Sequence, residues 1–553
     1  MTRRRDPKVL FVSPRFSLHS FWNYKETCTV AGARYIAAPL GLITVAALLP
    51  REWDARLVDC NTGDLLDSDL EWADLVMVGS MLPQQIHALH IMARAHSAGK
   101  PVVVGGPDVT ASPDRYAEAD FRVLGEAEDV IDEFVAAWRR GETRGLFRAE
   151  GFPDLKRSPI PRFDLLEFEH YMHVGVQFSR GCPYNCEFCN VIELNGRVPR
   201  FKHSDQILRE LDRLHDLGYR GHVDFVDDNL IGNRRAARSF LAALGDWQER
   251  RGHPFEFTSE ASINLADDAG LLSLMRNAGF FAVFIGIESP DERTLLNAQK
   301  TQNTLKDITE SVRRIHQAGI FVNAGFIVGL DGEHGSVAEG MIACIEEAAI
   351  PVCMVGLLYA LPNTQLSRRL RLEGRLHVGG DTLPSMDAAD QCTSGLNYET
   401  LRPRADILGD YRDILRSVYH PRAFFGRVRR MARDLNMARP GPRRPLRVRA
   451  RNVRSFIEIG YQLGVRDQEA RPHFWRALSD CLLHNPRALR SVVSFAALYL
   501  HLGPFARYLE QHLDQQIHSS ETHAPRLEAA RVAPRLSRCA QPVISRDYVV
   551  VDS

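Results

Sequence analysis

Net charge is absent from this 553-residue sequence: lysine plus arginine and aspartate plus glutamate number 69 each. Balanced charge gives no sign of a nucleic-acid partner. No secretory leader is expected either. The basic start, Met1 to Lys8, is followed only by the short apolar run Val9 to Val12 before Pro14, which is too little for a secretory signal. The longest uncharged stretch near the front, Ile36 to Pro50, contains Pro39 and Gly41 and is too short to span a bilayer. A cytoplasmic protein is expected, with membrane association left open. Cysteine is sparse, ten residues in all, and without an export signal a disulfide framework is not expected. Seven of the ten (Cys28, Cys60, Cys344, Cys353, Cys392, Cys481 and Cys539) are scattered and read mostly as buried fillers.

The chain is too long for one ordinary domain, and about three are expected. Its apolar share of 45% and charged share of 25% are those of a soluble globular protein. Charge is nevertheless unevenly spread: residues 421–454 hold twelve arginines and one acid, Asp434. A solvated surface balancing an acidic remainder is the plainer reading, and attraction to phosphate or an anionic membrane is the alternative. Pro440, Pro442 and Pro445 interrupt the segment, so no continuous basic helix is expected.

Residues 8–145 alternate apolar strands (Lys8–Ser13, Arg56–Asp59, Leu75–Gly79, Pro101–Gly105, Phe121–Leu124) with helices (Leu40–Leu49, Gln84–Ser97, Ala127–Arg140). Continuous apolar strands separated by helices imply a parallel sheet covered on both faces, a doubly wound Rossmann-like domain with its ligand at the strands' carboxyl ends. Residues 146–170, with Pro153, Pro159 and Pro161, read as a linker. Across 171–395 the alternation resumes, with strands expected at Val174–Ser179, His222–Val226, Glu256–Glu260, Ala282–Ile287, Val322–Val328 and Val352–Leu358. Six such units suggest a partial (β/α)6 TIM-type barrel, with chemistry at the strands' carboxyl ends. Residues 396–517 read as a helical domain in which the apolar run Val492–Leu502 is core. Residues 518–553 mix charged, proline and small residues without period, and disorder is expected there.

The remaining three cysteines lie within eight residues, in Ser179-Arg180-Gly181-Cys182-Pro183-Tyr184-Asn185-Cys186-Glu187-Phe188-Cys189. Three thiolates at this spacing suit three irons of a cubane cluster. With no fourth cysteine nearby, one iron stays open for a small molecule. The competing reading is structural zinc, which usually takes two separated pairs of cysteine or histidine; His170 and His173 lie upstream at a spacing that fits no common finger.

The CxxxCxxC spacing, with an aromatic residue before the third cysteine, resembles the radical S-adenosylmethionine (SAM) superfamily. A Rossmann-like domain in front of the barrel resembles its cobalamin-binding subgroup, over about residues 8 to 500. The runs Gly181–Cys189, Gly196–Arg200, Phe225–Asn233 and Phe284–Glu288 resemble the branch that includes hopanoid C-2 methylases. The resemblance implies a [4Fe–4S] cluster on Cys182, Cys186 and Cys189, with SAM chelating the open iron. Reductive cleavage to a 5′-deoxyadenosyl radical, hydrogen abstraction from an unactivated carbon and methyl delivery from methylcobalamin would follow. A non-methylating rearrangement or oxidation with the same cofactors, and a non-catalytic cobalamin- or metal-binding sensor, are the alternatives. The implied partners are a small-molecule substrate, lipid or tetrapyrrole being the classes suggested, and a low-potential donor such as flavodoxin or ferredoxin. A peripheral membrane contact stays open.

The resemblance also assigns residues. Phe188 is placed near the adenine. Asp227, Asp228 and Asn229 end the second barrel strand, where a carboxylate suits the SAM ammonium; a turn or helix cap is the plainer alternative. Glu260 and Ser262 end the next strand and are placed for the ribose hydroxyls or for a cap. Gly325 and Gly329 bracket Gly-Phe-Ile-Val-Gly, where glycine permits close approach. Gly286 is similar, and Glu288 reads as a pocket residue or a strand-end ion-pair partner. In the front domain Gly105, Gly106 and Gly125 resemble cobalamin-domain loops, although glycine after a strand is also ordinary turn chemistry. No Asp-x-His-x-x-Gly follows the first strand, so a histidine ligand to cobalt is not expected. His87 and His90 read as a solvated helix face.

Overall fold

The structure, a computed structural model, describes residues 6–17, 19–21, 23–377, 391–436 and 446–532. Strand β1 (Lys8–Ser13) opens a first sheet, and the chain then leaves it to form β2 (Tyr35–Ala37) in a second. It returns with β3 (Asp54–Asp59), β4 (Leu75–Gly79), β5 (Val102–Gly105), β6 (Phe121–Leu124) and β7 (Gly145–Arg148). The sheet order is β3-β1-β4-β5-β6-β7, parallel throughout. Phe11, Phe121, Phe134 and Trp138 fill one face, and Leu10, Val76, Ile91 and Tyr116 the other. Burial on both faces is why these strands read as apolar runs rather than alternations. Strand order reverses between β1 and β4, which opens a crevice at their carboxyl ends.

Next come β8 (Tyr171–Val176), the two-residue strands β9 (Ser179–Arg180) and β10 (Arg200–Phe201), then β11 (Gly221–Phe225), β12 (Phe255–Glu260), β13 (Phe280–Glu288), β14 (Phe321–Val328) and β15 (Cys353–Leu357). The second sheet runs β15-β14-β13-β12-β11-β8-β2. It has seven strands where six are expected from the sequence. The seventh, β2, pairs parallel with β8 through Tyr35↔Tyr171 and Ala37↔His173. Phe21, Tyr24, Cys28 and Val30 join the barrel core, so this part of the expected front domain packs on the barrel. A three-residue strand has no period to read.

The open side of this half-barrel is covered by the C-terminal helix, Leu489–Val532. Thr27 Oγ1 donates to the Ala497 carbonyl (2.9 Å) and Phe495 meets Phe321 at 4.8 Å between ring centroids. Val492, Phe495, Ala496, Tyr499 and Leu502 are buried, as core. Among the described residues this is the one helix long and apolar enough to cross a membrane, and more than half of its apolar window is buried in protein. Residues 518–532 continue the helix where no period is legible, and 533–553 lie outside the described residues.

The arginine-rich segment is only partly a solvated surface, which corrects the plainer reading. Arg427 is fully buried, donates from Nε to Ile350 O (2.8 Å) and from Nη2 to Val418 O (2.6 Å), and pairs with Glu346. Arg429 and Arg433 converge on Asp480. The prolines at 440, 442 and 445 lie outside the described residues.

His316 gives the fold a pH signature. It is 1% exposed, and its Nε2 accepts the Val322 N–H at 3.3 Å. Burial lowers its pKa from 6.5 to about 4. Between those values the unfolded chain binds a proton the folded chain does not, so stability is complete above pH 6.5 and falls as pH drops toward 4. The loss expected is about 3 kcal/mol. In urea unfolding at a series of pH values, His316→Gln should lose less stability on acidification than the parent.

Candidate active site

The strand before the cysteines ends early. β8 stops at Val176, and Ser179–Arg180 instead pairs antiparallel with Arg200–Phe201, closing the neck of the loop 181–199. Gly181 has φ +96°, and a Cβ there would lie 2.9 Å from Gly196 O and 3.0 Å from Asn195 O, so only glycine fits. Asp227 accepts the backbone N–H groups of Phe178 (3.1 Å) and Ser179 and the Ser179 hydroxyl. Asp228 accepts Gly181 N–H (2.7 Å) and Asn195 Nδ2 (3.0 Å). Both carboxylates, read from sequence as acceptors for an ammonium, are taken up in holding the loop. Burial raises Asp227 to about 7.

Within the loop Cys186 is 6% exposed. Burial raises the thiols of Cys182 and Cys189, the latter to about 12; the neighbouring Cys186 raises both further and Lys300 opposes it. Among the described residues no three Cys, His, Asp or Glu side chains converge as one metal ion would require. Three thiols on one loop are the donor set that a multi-iron cluster takes.

The segment 298–303 covers this loop, and the sequence reading missed it. Glu187 N–H donates to Ala298 O (3.1 Å), Asn185 Nδ2 to Gln299 Oε1 (2.5 Å) and Gln302 Nε2 to Cys186 Sγ (3.5 Å). Lys300 pairs with Glu288 at 2.7 Å and stands 5.9 Å from the Phe188 ring centroid. Burial works against its charge, but Glu288 and the Cys186 thiol hold it above the ordinary lysine value. The only sequence signal was a run of amide and hydroxyl residues, Asn297 to Thr304, after a strand end.

Glu288 ends β13 with φ +67°, a left-handed conformation uncommon for a side chain other than glycine. A Cβ on Gly286 would overlap Glu288 Oε1 and lie 2.9 Å from Lys300 Nζ. Gly286→Ala is therefore expected to displace the Glu288–Lys300 pair. SAM-dependent activity should fall on the order of a hundredfold, with circular dichroism unchanged. A Cβ on Gly325 would meet the Phe284 ring at 3.1 Å. Gly329 sits apart: it accepts the Tyr398 hydroxyl (2.7 Å), and a Cβ there would strike Leu396.

Asn229 donates to Ser262 Oγ (3.2 Å), which donates to Asn264 Oδ1 (2.7 Å); Asn264 Nδ2 reaches the Tyr184 hydroxyl (2.7 Å) in the cysteine loop. Buried acceptors lack partners here: Asn229 Oδ1, Gln302 Oε1, Asn303 Oδ1 and Asn323 Oδ1. Burial, then Asp224, Asp227 and Asp228, raise Glu260 well above the usual carboxylate range. Unpaired acceptors and crowded carboxylates suit a donor-rich, cationic ligand such as SAM.

A cavity of about 1940 Å³ lies between the sheets. Its walls include Gly79, Gly105, Gly106 and Gly125 from the first sheet and Gln177, Glu260, Phe284 and Asn323 from the second, with Arg180 and Asn195 of the loop neck on its lining. The volume and the Rossmann crevice fit cobalamin. The glycines also answer to their own backbone: a Cβ on Gly106 (φ +102°) would lie 2.9 Å from Ser80 O, and one on Gly125 (φ +86°) 3.0 Å from Ala149 Cβ. Buried ion pairs join the halves: Arg180 with Glu126 and with Glu128 (2.9 Å), and Arg200 with Glu126. His87 is partly buried and accepts the Arg15 N–H (2.8 Å), so it is no solvated residue.

Three known families match successive stretches of the chain. The B12 binding domain matches residues 26–135, the Radical SAM superfamily residues 176–343, and a Domain of unknown function (DUF4070) residues 364–515. An uncharacterized methyltransferase of Synechocystis is 38% identical over 92% of this chain and 94% of its own length. The Hopanoid C-2 methylase of Rhodopseudomonas palustris is 36% identical over 85% of this chain and 88% of its own. Among solved structures, the cobalamin-dependent S-adenosylmethionine radical enzyme OxsB matches with a TM-score of 0.57 at 15% identity, covering 94% of this chain and 81% of that one. The radical S-adenosylmethionine methyltransferase TsrM from Kitasatospora setae matches at 0.53 and 17% identity, covering 69% and 80%.

Proposed function

The chain belongs to the cobalamin-binding radical SAM family, and from that premise we propose that it is a C-methyltransferase acting at an unactivated carbon of an apolar small molecule. The observation that carries this is one continuous cavity walled by the carboxyl ends of both sheets, with the neck of the cysteine loop on its lining. When bound, the cluster and SAM supply the one-electron chemistry that opens a C–H bond, and cobalamin supplies the methyl group.

The chain's own residues bind and position. Cys182, Cys186 and Cys189 are the cluster ligands, and Gln302 donates toward Cys186 Sγ. Asp227 and Asp228 fix the loop from β11. Glu260 and Asn229 offer acceptors to the SAM ammonium and ribose, Phe188 a face to the adenine, and Glu288 with Lys300 closes the floor beside it. Gly105, Gly106 and Gly125 line the cobalamin side. Phe281, Phe284, Phe321 and Met354 line the barrel interior and exclude water from the reacting carbon. That apolar lining, and the resemblance to a protein named Hopanoid C-2 methylase, support a polycyclic lipid over a tetrapyrrole.

The test is anaerobic reconstitution with iron, sulfide and cobalamin, then SAM, a strong reductant and a cell lipid extract. 5′-Deoxyadenosine together with cobalamin-dependent S-adenosylhomocysteine and a methylated lipid is the expected result. Deoxyadenosine with no methylated product would instead favour rearrangement or oxidation.

A further inference from the structure

The cavity does not end at the cofactor side. It continues past Phe281 and Phe321 to Gly221 and Glu256 at the amino ends of the barrel strands, opposite the cysteine loop. There its lining includes Arg451, Ser455, Phe456 and Ile459 from the Leu446–Tyr461 helix and Leu489 and Val493 from the C-terminal helix. Phe456 is also 40% exposed, so it belongs both to the cavity wall and to the outer surface.

That surface is unusual. Val453, Ile457 and Tyr461 stand at i, i+4 and i+8, one stripe of the helix, and are 59%, 64% and 56% exposed. The following turn adds the exposed Val465, and Trp475 is 47% exposed with its Nε1 bonded to Gly464 O at 2.9 Å. Arg451, Arg454, Arg466, Arg471, Arg476 and Arg487 are exposed and pair with no carboxylate among the described residues. An apolar stripe with amphipathic aromatic rings and unpaired arginines is complementary to an anionic bilayer.

The geometry points to this face as a membrane-docking surface, with the lower mouth of the barrel as the portal through which a lipid substrate passes from an anionic bilayer. The portal's cargo rests on the lipid reading above; the docking does not. Charge and continuity with the cavity favour a bilayer over a second copy of the chain.

The experiment is cosedimentation of the full reconstituted chain with vesicles of phosphatidylglycerol and phosphatidylcholine, against phosphatidylcholine alone. Val453→Glu/Ile457→Glu alters exposed side chains off the cavity wall, and Arg454→Glu/Arg466→Glu reverses charge alone. The parent should prefer the anionic vesicles, and each double variant should bind them about tenfold or more weakly, with unchanged cluster absorbance and circular dichroism. A parent that binds anionic vesicles no better than neutral ones overturns the proposal, as do variants that bind like the parent. So does a parent dimer, seen by light scattering, that the variants dissociate without any vesicle binding. Binding is read without turnover, so its failure leaves methyl transfer untouched, and a missing methylated lipid leaves the docking result standing.

Discussion

Cys186→Ala is expected to reduce 5′-deoxyadenosine formation by on the order of a thousandfold or more, to background. In the proposed site the motif would supply three thiols and leave the fourth iron for SAM. Losing one thiol leaves two protein ligands on a loop whose other contacts, Glu187 to Ala298 O and Asn185 to Gln299, are not metal donors. Iron content and the visible absorbance of the reconstituted protein should fall with activity, while thermal unfolding changes little. Gln302→Leu is the companion variant. It removes the amide donor 3.5 Å from Cys186 Sγ and should keep the cluster while shifting its reduction potential, since hydrogen bonds to sulfur tune such clusters. A Cys186→Ala protein with a full complement of iron and parental activity would remove this loop from the site.

Glu126→Ala should carry the largest stability loss. Arg180 and Arg200 both converge on this carboxylate, and the side chains are only 14%, 17% and 8% exposed. Removing it leaves Arg180 with Glu128 and leaves Arg200 buried with only carbonyl acceptors, at Pro153 and Asn195. Breaking such a buried pair costs about 3–5 kcal/mol. The loss should appear as a lowered urea midpoint and, because Arg180 stands two residues before Cys182, as weaker cluster retention. Glu126→Gln, which keeps an acceptor without the charge, should lose less. A midpoint within error of the parent for Glu126→Ala would mean that the two arginines find other partners and that the halves are held by packing alone.

Much of the architecture was legible because it is written in local pattern. Apolar runs punctuated by glycine gave strands close to β1, β4, β5 and β6, and barrel strands near β11 to β15. The cysteine spacing is the local signal from which the cluster loop is proposed. What went unread has a common character: it depends on partners distant in sequence. Nothing local marks Tyr35–Ala37 as a strand, because its reason for existing is the free edge of β8 at Tyr171. Nothing local makes Lys300 a site residue, because its meaning comes from Glu288 and the thiols. Arg427 reads as surface charge until the Ile350 and Val418 carbonyls are placed around it.

The aspartates make the same point in reverse. Asp227 and Asp228 were found by their place at a strand end, but which hydrogen atoms they face was fixed by β9 folding back on β10. Local pattern was enough for the cofactor chemistry, since three thiols at that spacing have few uses and the crevice of a doubly wound sheet has a fixed position. How the two halves meet, which buried amide oxygens stay unpaired beside the cavity and where that cavity opens came from the assembled fold. Those are long-range matters of packing and burial, set by contacts that no short window of residues contains.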